Sequence, residues 1–169
     1  MDDGSEALVN WDIKDLTQRE TLADDEGFLF EVYLSSRGDD LTEMGWDSER
    51  VRNFLETQYA AQQRFLKANY PQGEDRIIML DTQPIGRIVV ERNDQEIRVV
   101  DVALLRQYRN SGIGTYLIRE LLTEAARLGQ PFRTQVIRSS AALSLFERLG
   151  VVKIGETGSH YQMEWRADA

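Results

Sequence analysis

Leu104-Leu105-Arg106-Gln107-Tyr108-Arg109-Asn110-Ser111-Gly112-Ile113-Gly114-Thr115 is the stretch on which the reading of this chain turns. An apolar run, Val99 to Leu105, stops at a polar turn, and the turn opens into a helical pattern. That order predicts a strand feeding a helix N-terminus through a glycine-bearing loop. Such a loop aims several free backbone N–H groups at one spot, and the helix dipole adds partial positive charge there. The spot suits a phosphate or pyrophosphate. Two glycines at a helix start cost roughly 1 kcal/mol each relative to Ala. Close approach of a ligand to bare backbone is an economical reason for both.

Working outward, periodicity and turn residues divide the rest of the chain. Val9 to Leu16 alternates loosely and predicts a first strand. Glu20 to Ser36 has helical spacing, with Gly38-Asp39-Asp40 as its break. A long helix follows from Asp47 or Ser48 as cap, its apolar face being Val51, Phe54, Leu55, Ala61, Phe65 and Leu66. Arg76 to Asp81, Pro84 to Arg92 and Gln95 to Leu105 read as three strands joined by tight turns. Gly112 to Leu128 is the helix after the loop, and Phe132 to Arg138 is a strand. Ser139 or Ser140 caps a short helix that Gly150 ends, and Val151 to Gly155 and His160 to Trp165 are the last strands. The predicted fold is α+β, layered α/β/α, around a mixed, mostly antiparallel sheet in the order β-α-α-β-β-β-α-β-α-β-β. With no repeat, linker or low-complexity tract, residues 1–169 read as a single domain, and residues 1–8 as a disordered N-terminal tail.

Composition removes several classes of function. There is no Cys and one His, His160, so thiol nucleophiles, thiolate metal sites and His clusters are excluded and no metal is expected. No apolar run approaches the roughly 20 residues of a membrane span. The acidic N-terminus lacks a signal pattern, so a cytoplasmic protein with no membrane partner is expected. The net charge of -9 disfavours nucleic acid. That charge is uneven. From Glu20 to Glu49 there are ten acids and one base, Arg37, whereas Arg98 to Lys153 holds nine bases and four acids. The basic half carries the phosphate-type loop. A field of this shape suits an anionic cofactor at one end and a cationic substrate at the other.

Three architectures could own the loop. A dinucleotide-binding turn needs a small residue where this chain has Leu117, and a βαβ unit where it has a meander. A kinase-type loop ends in Gly-Lys-Ser/Thr, and here Gly114 is followed directly by Thr115. Arg109-x-x-Gly112-x-Gly114, with the strand before it and the helix after it, resembles the cofactor loop of the GNAT superfamily of acetyl-CoA-dependent N-acyltransferases. The element order is also that of the superfamily, so the resemblance covers nearly the whole chain.

The resemblance implies acetyl-CoA as co-substrate and a set of roles. The pyrophosphate would be held by backbone N–H groups of Arg109, Asn110, Ser111, Gly112, Ile113, Gly114 and Thr115. Leu104 falls where the family's backbone meets the acyl-pantetheine end, and its N–H would polarise the thioester carbonyl; Leu105 and Arg106 follow it along the arm. Ser139 and Phe146 match the second half of the family pattern. Ser139 keeps a hydroxyl near the cofactor arm, but Phe146 lacks the phenol that commonly protonates the leaving thiolate. Tyr161 and His160 are the candidate replacement acids. A thiol has a pKa near 8.5 and an alkylamine near 10.4, so the base is the harder requirement.

Asp101, an acid inside an apolar strand, is the candidate general base; Glu31, Glu43 and Glu91 are further acids to consider. The expected function is transfer of an acetyl or other acyl group from CoA to a primary amine. The acidic segment favours a cationic small molecule or a basic peptide as acceptor. The competing expectation, which Phe146 supports, is an acyl-CoA-binding sensor or interaction module with little catalysis. The protein is expected as a monomer or a homodimer.

Overall fold

A computed structural model of the chain describes residues 9–168; the expected tail, residues 1–8, lies outside the described residues. The elements are β1 (Leu16–Glu20), α1 (Glu26–Glu43), α2 (Ser48–Asn69), β2 (Glu74–Leu80), β3 (Gln83–Arg92), β4 (Ile97–Leu104), α3 (Ile113–Leu128), β5 (Phe132–Ile137), α4 (Ala142–Arg148), β6 (Val152–Glu156) and β7 (His160–Trp165). They form one seven-stranded sheet in the order β1-β2-β3-β4-β5-β7-β6. Every pairing is antiparallel except β4 with β5. The expected fold class and element order are those found.

Both faces of the sheet are buried, which is why the layers form. Ile77 and Ile78 are neighbours on β2 and point to opposite faces. Ile77 packs with Leu29, Tyr33, Val51, Leu55 and Tyr59 of α1 and α2, and Ile78 joins the core under α3 and α4. The buried stripe of α3 is Ile113, Leu117, Ile118, Leu121, Leu122 and Ala125. Each fully buried Leu or Ile contributes roughly 1.5–3 kcal/mol. That stripe fixes the direction of α3, and with it the aim of the loop at its N-terminus. Among the described residues no helix is long and apolar enough to cross a membrane.

Three local expectations are corrected. The first strand begins at Leu16, where it was expected to end. Asp12 instead builds a turn: its side chain accepts from Lys14 N at 3.1 Å and its carbonyl from Asp15 N at 3.0 Å. Helix α1 runs through Gly38-Asp39-Asp40 to Glu43. Gly38 faces Val51 and Leu55 of α2 at contact distance, so close helix packing outweighs the weak helix propensity of Gly. On α2, Asp47 is the cap and accepts from Arg50 N at 2.8 Å. Its buried face is Val51, Leu55, Tyr59 and Leu66, while Phe54 and Phe65 are exposed.

Candidate active site

Strands β4 and β5 pair over only three positions, Ile97–Phe132, Arg98–Arg133 and Val99–Thr134. The last link is Thr134 Oγ1 donating to Val99 O at 3.0 Å. Beyond it, Asp101 to Leu104 keep their pairing with β3, and Gln135 to Ile137 keep theirs with β7. The two parallel strands therefore part, and a gap opens in the middle of the sheet. A bulge at Val100 marks the parting, because Val90 pairs with Val99 and Val89 with Asp101. Past the bulge, Val102 and Leu104 pack with the α3 core, and Asp101 and Ala103 face α1.

Leu104 ends β4 at this gap. Leu105 N donates to Ile85 O at 2.8 Å, so in the alternating ladder the Leu104 N–H points away from β3, into the gap. The Leu104 carbonyl is held by Arg109 Nε at 3.0 Å. Opposite Leu104 sits Gly86. A Cβ there would run into Ala103 O and come within 2.8 Å of Leu104 Cδ2, so only glycine lets β3 approach this end of β4.

The loop then turns twice through the left-handed region, at Asn110 (φ 56°) and Gly112 (φ 88°). Gly112 is the N-cap of α3 and offers no side chain to cap it. The Asn110 to Thr115 N–H groups have no acceptor among the described residues. Consecutive free N–H groups at a helix start form an anion-binding concavity. Gly114 differs from Gly112. A Cβ on it would meet Leu145 Cδ2 at 3.5 Å and Leu104 Cδ1 at 4.0 Å, both ordinary contacts. Its bareness is not forced by backbone conformation, and its open side faces packed side chains.

Residues far away in sequence set this loop. Trp11 Nε1 donates to Ser111 O at 2.7 Å, and the indole meets Tyr116 edge-on at 5.8 Å between ring centroids. On the other side, Ser35 Oγ accepts from Arg106 N at 3.1 Å and from Arg109 Nη2 at 3.1 Å, and the Ser35 carbonyl accepts from Arg109 Nη2 at 2.6 Å. The Arg109 guanidinium thus ties Leu104, the loop and α1 together. Neither Trp11 nor Ser35 stands out in the sequence, since both act only through tertiary contact.

Asp101 lies in a cleft under α1 with Tyr33, Ser36, Arg37, Gln62 and Arg87. Burial holds its carboxyl above the ordinary carboxylate range, against Arg37 and Arg87, which pull it down. Arg87 is itself buried and engaged, with Nε and Nη2 on the two Asp75 oxygens at 2.9 and 2.6 Å and Nη1 on Gln63 Oε1 at 2.7 Å. Of the other acids, Glu31 pairs with Arg52 at 3.0 Å, Glu43 is exposed at the end of α1, and Glu91 sits opposite Arg98.

The remaining expected residues fall less close together. Ser139 is exposed, and neither expected serine is the N-cap of the short helix: that position is Ala141, while the Ser140 hydroxyl, one residue earlier, accepts from Ala142 N at 3.1 Å. Phe146 is 2% exposed, tilted against Phe132 in the core. His160 and Tyr161 pair with Ile137 and Val136, so β5 stands between β7 and the gap. The His160 ring nitrogen Nδ1 bonds Ser159 Oγ at 2.7 Å, and Tyr161 is flanked by Arg138 and Lys153. Among the described residues, no hydrogen bond joins either of them to Asp101 or to the loop. No group of three or more His, Cys, Asp or Glu among the described residues could hold a metal.

A profile of the acetyltransferase (GNAT) domain matches residues 40–165. No curated protein matches the chain significantly in sequence. Among solved structures, the chain is similar to the PaiA N-acetyltransferase of Thermoplasma acidophilum in complex with coenzyme A. The TM-score is 0.66 and the identity 19%, over 90% of this chain and 99% of that one. It is also similar to the ribosomal-protein-S18-alanine N-acetyltransferase of Escherichia coli, with TM-score 0.60 and 14% identity over 89% and 93% of the two chains. A GNAT family acetyltransferase from Elizabethkingia anophelis with acetyl-CoA bound gives TM-score 0.55 and 14% identity, over 90% and 99%.

Proposed function

The chain belongs to the acetyltransferase (GNAT) domain family, and from that premise we propose that it moves an acetyl group from acetyl-CoA to the primary amine of a cationic small molecule or basic peptide. The observation that carries this reading is one juxtaposition. A run of free N–H groups from Asn110 to Thr115 stands at the mouth of a gap between two parting parallel strands. The first suits a pyrophosphate and the second an extended arm that completes the sheet. Bound there, acetyl-CoA supplies the acyl group as a thioester.

The chain's own residues would then act in order. The loop N–H groups hold the anion, with Trp11 and Ser35 fixing the loop. The Leu104 N–H faces the gap and would stabilise charge growing on the thioester oxygen. Asp101 would take a proton from the ammonium, directly or through a water, so that the neutral amine attacks the carbonyl carbon. The carbon–sulfur bond breaks, the thiolate leaves, and the nitrogen gives up its second proton to solvent or to the thiolate as the amide forms. Phe146 offers no acid, and none is required for a thiolate to depart near neutral pH. Holding amine and thioester in line supplies much of the rate. We place the protein in the cytoplasm, as a single domain acting as a monomer or homodimer.

A thiol-release assay with acetyl-CoA and a panel of primary amines tests the reading. Amine-dependent thiol release supports it. Tight CoA binding without release under any amine supports the acyl-CoA sensor, the reading that Phe146 favours. Two further outcomes are expected. Trp11→Phe keeps the ring but removes the donor to Ser111 O, a loss of about 1 kcal/mol, or roughly fivefold in CoA affinity by calorimetric titration. The amine KM should not change. Reversing Asp40 and Glu43 to Lys, both exposed on the last turn of α1, should raise the KM of a cationic amine and spare CoA affinity. Added salt should do the same, because exposed charges are screened beyond about 8 Å at physiological ionic strength. An amine KM that ignores both would show these acids to be only a solvated face.

A further inference from the structure

The Asp101 cleft carries more than a base. It holds two guanidinium groups in different states. Arg87 is engaged through each of its three nitrogens by Asp75 and Gln63. Arg37 is the single base among the ten acids between Glu20 and Glu49, and it lines the same cleft from α1. Its guanidinium lies over the Tyr33 ring, 4.2 Å from the centroid, and donates to Ser36 Oγ at 3.3 Å. No carboxylate of the described residues comes within 4.0 Å of it. The Tyr33 ring covers one side of the guanidinium, and Ser36 takes one of its donors. A third group points the same way. Gln62 Oε1 is buried at this cleft and has no donor among the described residues. A buried oxygen of this kind is costly to leave without one.

The walls of this cleft therefore offer a cation with no ion pair within 4.0 Å, an acceptor oxygen lacking its donor, and the Asp101 carboxyl. The cleft as it stands has room for about one water, so a ligand spanning them would turn the half-buried Arg37 side chain outward. Resting on the transferase reading above, we propose that the acceptor is a primary amine that also carries a carboxylate. Its nitrogen lies against Gln62 Oε1 and Asp101, and its carboxylate lies on the Arg37 fork. Guanidinium and carboxylate match as two parallel hydrogen bonds. One guanidinium surrounded by acids suits a single negative charge and disfavours a phosphate dianion. The acidic segment still favours net positive charge on the whole acceptor, so a diamino carboxylate satisfies both.

The experiment compares matched pairs, lysine against lysinamide and β-alanine against β-alaninamide, in the thiol-release assay. Equilibrium titration of the same compounds into the CoA-saturated protein gives a readout that does not need turnover. The proteins are wild type, Arg37→Gln and Arg37→Lys, with thermal melts as a folding control. In the wild type the carboxylate form should exceed its amide by about tenfold or more in kcat/KM and in affinity. Arg37→Gln should raise KM and Kd for the carboxylate forms about tenfold and leave the amides and CoA within about twofold. Arg37→Lys should recover part of the loss. Equal use of acid and amide by the wild type overturns the proposal and leaves the transferase reading intact. So does an Arg37→Gln variant that slows both forms alike with a shifted pH profile, because Arg37 would then serve only to keep Asp101 ionised. A folded, CoA-binding protein that acetylates no amine of either kind overturns the transferase reading, and this one with it.

Discussion

Gly112→Val is expected to remove measurable CoA binding while Gly114→Ala leaves it nearly intact. Gly112 sits at φ 88°, where a β-branched residue is strained by roughly 1–3 kcal/mol. The chain can relieve that strain only by rotating the peptides on either side of the N-cap. Those peptides carry the N–H groups that have no partner among the described residues, so the rotation turns the donors away from the anion. A Cβ at Gly112 also approaches Trp11 Cζ2 at 3.9 Å, and the added methyls of Val press on the ring that holds Ser111 O. Loss of two good donor contacts is about 2–3 kcal/mol, roughly a hundredfold in affinity. At Gly114 a methyl meets only Leu145 and Leu104 at ordinary contact, and Ala is the better helix former by about 1 kcal/mol. Calorimetric titration with CoA beside a thermal melt separates lost binding from lost fold. Wild-type affinity in a folded Gly112→Val would mean that the loop holds no pyrophosphate, whereas lost affinity in a folded Gly114→Ala would mean that the ligand also approaches Gly114.

This contrast shows what local pattern can convey. The loop was legible because its chemistry is local: strand end, polar turn, glycine and helix start are consecutive, and their N–H groups are neighbours in the chain. The element order was legible for the same reason, since periodicity and turn residues act within a few positions. What escaped was tertiary. Gly38 looks like a helix breaker until Val51 and Leu55 pack on it. Val9 to Leu16 alternates like a strand, but the Asp12 turn sends Trp11 to the loop instead. Periodicity found the buried stripe of α2 but not its edges, so Phe54 and Phe65 were placed inside and Tyr59 was passed over. Ser35 and Gln62 give no sequence signal, because each matters only through groups dozens of residues away, and Arg37 shows in the sequence only as the lone base of the acidic segment. Gly86 did give one. A glycine inside an apolar strand asks what approaches it, and the answer is the end of β4.

Asp101→Asn should lower kcat by about 10²–10⁴, the usual worth of a positioned base, with little change in KM for acetyl-CoA. The substitution keeps the shape and removes the proton acceptor. The pH dependence follows from the raised carboxyl. A base works only when ionised, so activity should fall as pH drops through the Asp101 pKa, and that limb should lie above the ordinary value of about 3.9. Stability moves the other way. Because the folded-state pKa is raised by burial, the folded protein holds this proton more tightly than the unfolded chain does. The resulting stabilisation is full below the unfolded pKa and is lost as pH rises through the folded one. Above the unfolded-state pKa the buried Asp101 is therefore a cost, which Asn does not carry. Asp101→Asn should melt at or above the wild-type temperature at pH 7 while being far less active, and its advantage should vanish at acid pH. A purely structural aspartate predicts the reverse pairing. If the variant melts lower at pH 7 and loses activity only in proportion to unfolding, Asp101 holds the strand to α1 and the base lies elsewhere.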